Sequence, residues 1–224
     1  AHFSTMLLFE QLRGPEQRLE FCKWIERRYN SRRVINSERE LVKIDGSRDG
    51  DTTVTYDKGS WVFWMLHNLM GREQNLAGIR SFIEHYVEDP DHPVLQDFVA
   101  HLRPFAPDTE AYDLFVNQWF FDLVMPEYTV QSATRLPVEG HDGSFDVDLS
   151  VQNVGTGRMS VEVSAEQGRR FTDGEFHEAR AVVQLGAGES RELSIRCDFE
   201  PERIVVDPDA RVLQRGRSSA VHRF

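Results

Sequence analysis

The stretch Thr53–Leu66, TVTYDKGSWVFWML, sets a tyrosine, a lysine and a glycine directly ahead of an apolar block with two tryptophans. Two uses of Tyr56 are compatible with that spacing. In one it is a catalytic phenol, a group that ionises only near ~10 and so remains a hydrogen-bond donor at neutral pH. In the other it packs on the core where a buried helix starts, with Thr53 or Thr55 as cap. Lys58 and Gly59 read as structural supports: Lys58 holds nearby carbonyls or acids, and Gly59 admits the close approach of another backbone.

The eight histidines invite a search for metal ligands. His85 and His92 straddle a proline break, and His67 and His101 fall on different predicted helices. His177 opens FHEAR, but position 181 is alanine, where H-E-x-x-H needs its second histidine. Each histidine therefore reads as exposed or singly hydrogen-bonded, and Glu88, Asp89 and Asp91 read as a solvated turn. GAGES (186–190) lacks the lysine and the strand-to-helix setting of a phosphate loop, and there is no nucleophile elbow.

Two halves with different periodicity must position these residues. Up to about Phe121 the apolar spacing is helical, with about six helices expected. Pro15 opens the second, Gly71 stops the apolar block and Asp108 is a candidate N-cap for the last. Past Pro126 the pattern alternates, as in SFDVDLSVQNV, MSVEVSA, ARAVVQL and RELSIRCDF, with GTG (155–157) and GAGES as turns. The fold class is α+β in two domains: a helical domain over 1–126 and an antiparallel, Ig-like β-sandwich over 127–224. The sandwich is expected to fold alone when cut near Met125–Thr129. Cys22 and Cys197 then fall in different domains and define neither a disulfide framework nor a thiolate metal site.

The totals exclude several classes. With 224 residues and 40% apolar content the chain can bury a core, and a net charge of -11 makes it a poor candidate for sequence-independent binding to nucleic acid or for docking on anionic lipid. No apolar run reaches the ~18–20 residues of a membrane span. The chain opens on Ala1 rather than Met, without a signal peptide, and is expected to be cut from something larger.

Three stretches resemble the zinc-dependent aminopeptidase N family, the gluzincin aminopeptidases of the membrane alanine aminopeptidase type. TYDKGSWVFWMLHNLMG (55–71) resembles that family's Tyr-x-Lys-Gly element, which opens a buried helix. DLFVNQWFFDLVMPEYTV (113–130) resembles its Phe-x-x-Gln-Trp helix and exit strand, except that Met125 stands where glycine is usual. AHFSTMLLFE resembles the segment after the glutamate that is the third zinc ligand. VQNVGTGRMSVEV and DFEPERIVVDPDARVLQ look like the sandwich that follows the catalytic domain, notably in bacterial members carried on membrane-embedded chains.

The resemblance implies a hydrolase fragment: the helical remainder of a metallopeptidase catalytic domain plus its sandwich. The H-E-x-x-H and the later glutamate would lie upstream of Ala1, so zinc belongs to the parent protein and this chain alone would hold none and be inactive. Tyr56 would stabilise the oxyanion of the tetrahedral intermediate as the parent hydrolyses N-terminal peptide bonds, with Lys58 and Gly59 structural. The implied partners are a peptide substrate and the upstream catalytic half, with no nucleic acid and with membrane attachment only through the parent. The alternative is a non-catalytic scaffold module that retains the peptidase fold.

Overall fold

A computed structural model describes residues 2–33, 38–88 and 92–224. Asp89 and Asp91 of the expected acidic turn lie outside the described residues. Helices α1 (His2–Arg13), α2 (Pro15–Arg32), the single turn α3 (Asp51–Thr53), α4 (Gly59–Met70), α5 (Arg72–Tyr86), α6 (Leu95–Leu102) and α7 (Thr109–Phe120) precede seven strands. The class is α+β, a helical part followed by a β-sandwich-like part.

The chain divides into two compact units. A helical unit takes Ala1–Leu12 and Trp24–Leu123, and a sandwich unit takes Arg13–Lys23 and Val124–Phe224. The first half of α2 thus counts with the sandwich unit. There Arg18 Nη1 donates to the backbone oxygen of Asp209 at 2.5 Å, and Cys22 is fully buried. Cys22 and Cys197 therefore share one unit, contrary to the separation expected from sequence, and both are buried free thiols. Burial pushes the Cys22 thiol up to about 12, which leaves it protonated and inert.

In the helical unit α4 is the central element. Nine of its twelve residues are buried, among them Trp61, Trp64, Met65 and Leu66, as expected of a segment apolar on all sides. Trp119, Phe120 and Phe115 of α7 join the same core, and Asp108 caps α7 by accepting from the N–H groups of Glu110 and Ala111 at 3.0 Å. Gly71, at φ +80°, ends α4 in a conformation that a side chain would strain.

The sandwich unit has two antiparallel sheets. One orders β1 (Tyr128–Pro137), β2 (Phe145–Asn153) and β5 (Ser190–Cys197). The other orders β4 (Phe176–Leu185), β3 (Met159–Gly168), β6 (Arg203–Val206) and β7 (Val221–Arg223). Strict alternation puts Val147, Leu149 and Val151 of β2 inward. The strand entry is pinned by backbone bonds from Val154 N to Glu127 O (2.8 Å) and from Thr156 N to Met125 O (3.0 Å). The strand-bearing segment of the sandwich unit accordingly begins at Val124, and a fragment starting at Val130 would lack these partners. Gly155 sits against this crossing, where an added Cβ would lie 2.3 Å from Met125 O and 2.6 Å from Glu127 N. Backbone on both counts cannot swing aside, so Gly155→Ala is expected to destabilise the sandwich unit by about 2–3 kcal/mol. A urea melt showing wild-type stability would refute that.

Asp209 supplies the unit's main charge cluster. Its carboxylate accepts from Arg170 at 2.5 Å and Arg180 at 2.7 Å. Burial pushes the carboxyl up, and the two arginines more than offset this, leaving it at about 2. A carboxyl depressed from its unfolded value near ~3.9 contributes stability that is complete above that value and is lost as pH falls through the folded one. Asp209→Asn should therefore cost about 2 kcal/mol at pH 7. The gap to wild type should close between pH about 4 and about 2. A pH-independent difference would contradict this assignment.

Candidate active site

Tyr56 lies on a π-helical turn, Val54–Lys58, inserted between α3 and α4. The turn is closed by Gly59 N–H donating to Val54 O. Such wide turns shift the phase of the side chains that follow and recur at functional sites. The helix already starts at Asp51, and neither Thr53 nor Thr55 caps it. Tyr56 is 53% exposed, so the alternative in which its ring packs on the core is set aside. Among the described residues no hydrogen bond engages its hydroxyl; its ring and the His2 imidazole make a T-shaped contact at a centroid distance of 6.3 Å.

The two residues after it turn inward. Asp57 is buried, and its carboxylate is gripped by Arg28 of α2, whose Nε lies 2.9 and 3.1 Å from the two oxygens. Nη2 of Arg28 also donates to Asp57 Oδ1. The same guanidinium covers the Trp24 ring at 4.4 Å and reaches His2 Nε2 at 2.8 Å. A guanidinium only donates, so His2 Nε2 accepts and this imidazole is neutral. Burial and then the Arg28 charge lower its pKa in keeping with that, against the pull of Asp57.

Lys58 is buried on the other side of the turn. Its Nζ lies 2.8 Å from Glu38 Oε1, and their side chains are only 1% and 2% exposed. Glu38 also accepts from Tyr29 Oη at 2.5 Å and Arg33 Nε at 3.0 Å. Burial pushes the Glu38 carboxyl up, and Lys58, Tyr29 and Arg33 together hold it below the ordinary carboxylate range. Lys58 thus holds an acid from a segment 20 residues away. Gly59 has an ordinary helical backbone (φ −55°). A Cβ there would sit 3.5 Å from Val54 O and 3.9 Å from Leu41 Cδ2. That is ordinary contact, so among the described residues no second backbone makes the close approach expected at this position.

The remaining candidates stay apart. His67 is buried and pairs through Nδ1 with Asn75 Oδ1 at 2.9 Å. His101 meets Ser81 Oγ at 3.0 Å, and His177 sits on β4 with its side chain half exposed. Among the described residues no group of three or more His, Cys, Asp or Glu side chains could hold a metal ion, so these residues do not by themselves fit a zinc centre. Among them, too, no helix is long and apolar enough to cross a membrane. Sequence reasoning reached Tyr56 and Lys58 but not Arg28, Glu38 or His2. The available signal was the Asp57–Lys58 dipeptide itself: opposite charges at the head of a buried helix require partners.

The described residues thus form a helical part with one exposed phenol on a π turn, followed by a β-sandwich-like part. The chain is similar to the aminopeptidase A of Legionella pneumophila, solved in complex with aspartic acid, at a TM-score of 0.53 and 13% identity. The match covers 95% of this chain and 22% of that one, so the chain spans about a fifth of the enzyme's length. At that identity the likeness shows the fold alone. Beta-glucosidases from Streptomyces venezuelae and Kluyveromyces marxianus align over 45% and 46% of the chain, and over 14% of each of theirs. They do so at 15% and 14% identity and a TM-score of 0.27, too low to carry an argument. No protein-family model and no curated protein matches the chain.

Proposed function

We propose that this chain is part of a zinc aminopeptidase of the gluzincin type, in which Tyr56 donates a hydrogen bond to the oxyanion formed at the scissile carbonyl. The observation that carries the reading is the contrast within one motif. Asp57 and Lys58 are buried and ion-paired, whereas the phenol between Thr55 and Asp57 is exposed, with no hydrogen bond to its hydroxyl among the described residues. A donor with that freedom is what a developing oxyanion needs. The likeness to an aminopeptidase supports the same reading at the level of fold.

The zinc ligands are placed in the upstream part of the parent, and with them the Lewis-acid help that a bound metal supplies. This chain contributes the phenol and the frame that aims it. The substrate is a peptide with a free amino end, and membrane attachment, where present, comes through the parent. The experiment is hydrolysis of aminoacyl anilides by the full-length parent, wild type against Tyr56→Phe. A parent inactive on every such substrate would replace this reading with the scaffold one.

A further inference from the structure

Tyr56 carries no restraint of its own hydroxyl among the described residues, so its direction is set by what holds its neighbours. One side chain touches both of the groups that do so. Arg28 grips the carboxylate of Asp57, the next residue along the π turn, and hydrogen-bonds the imidazole of His2, which meets the Tyr56 ring in a T-shaped contact. It is itself stacked on Trp24. We propose that Arg28 is the positioning residue for Tyr56, fixing the backbone beside the phenol through Asp57 and the ring through His2. This rests on the oxyanion role proposed above and adds the device that aims the donor.

Three physical points favour positioning over mere stability. With side chains 21% and 3% exposed, the Arg28–Asp57 pair adds little net stability over apolar side chains of the same volume, which leaves room for a geometric role. A guanidinium–carboxylate fork fixes direction as well as distance, which a lysine ammonium cannot do. Arg28 also comes from α2, 29 residues before Asp57, so it ties the π turn to a separate rigid element. Displacements on the order of 1 Å at a catalytic group cost about a hundredfold in rate, and a wide turn without its clamp can shift by that much.

The test is a double-mutant cycle on the full-length parent with Arg28→Met and Tyr56→Phe, read as kcat and KM. Arg28→Met is expected to lower kcat by about tenfold or more with KM little changed, with Arg28→Lys intermediate. In the Tyr56→Phe background it is expected to lower kcat no further, because a residue acting through the phenol has nothing left to act on. An equal loss in both backgrounds would overturn the proposal while leaving the role of Tyr56 intact, as would an Arg28→Met enzyme with wild-type kcat. A Tyr56→Phe enzyme with wild-type kcat would overturn the oxyanion reading and this proposal with it. Should Arg28→Met fail to fold, His2→Ala removes the ring contact and one acceptor of Arg28, keeps the Arg28–Asp57 pair, and enters the same cycle. It should give a smaller loss of kcat that vanishes in Tyr56→Phe, and an additive loss would count against the proposal.

Discussion

Tyr56→Phe is expected to lower kcat of the full-length parent by about 10²–10³, the cost of removing one oxyanion donor, equivalent to about 2.7–4 kcal/mol of barrier. The substitution keeps the ring and deletes only the hydroxyl. Because the side chain is 53% exposed and its hydroxyl has no hydrogen-bond partner among the described residues, no folded-state contact is lost. Stability and KM should therefore stay near wild type, and the deficit should fall on kcat, the signature of an interaction made only in the transition state. Full activity of Tyr56→Phe would reduce the exposed phenol to a surface residue. A matching fall in melting temperature would mean that the hydroxyl serves the fold instead.

Lys58→Met is expected to produce the largest loss of stability, about 3–5 kcal/mol for the helical unit at neutral pH. The substitution leaves the Glu38 carboxylate nearly inaccessible and without its ammonium partner, retaining only Tyr29 and Arg33. The pH dependence follows in sign. In the wild type Glu38 is held below its ordinary value, so its contribution is complete above the unfolded carboxyl value near ~4.3 and is lost as pH falls through the folded one. In Lys58→Met the carboxyl rises, and the deficit relative to wild type should shrink as pH is lowered and Glu38 takes a proton. The double variant Lys58→Met with Glu38→Gln should recover part of the loss, since the buried carboxylate charge is removed while Arg33, 14% exposed, gives up its ion-pair partner. Denaturant unfolding of the wild type and both variants at two pH values decides it. A single-variant loss under about 1 kcal/mol would show that Lys58 is not needed to neutralise Glu38.

Much of the architecture could be read along the chain. The all-apolar face of Trp61–Met70 requires a buried helix, and Trp61 and Trp119 are fully enclosed as that pattern demands. Alternation over Phe145–Val151 and Ser160–Val163 requires strands with one face inward, and the sheets follow it. Asp108, Pro15 and Gly71 mark helix ends because capping and steric rules act within a few residues. Other features depend on contacts between distant segments. No local rule announces that Arg13–Lys23 counts with the strands, since α2 is one continuous helix whose halves differ only in what they touch.

The site divides along the same line. That a tyrosine and a lysine stand at the head of a buried helix is plain from TYDKG. Which of them faces solvent is not, because a uniform 3.6-residue period assigns the faces wrongly once a π turn shifts their phase. The exposure of Tyr56 and the burial of Asp57 and Lys58 follow from Arg28, 29 residues before its partner, and Glu38, 20 residues before its own. Local spacing chooses the residues that can do chemistry, and long-range ion pairs choose which of them is free to do it.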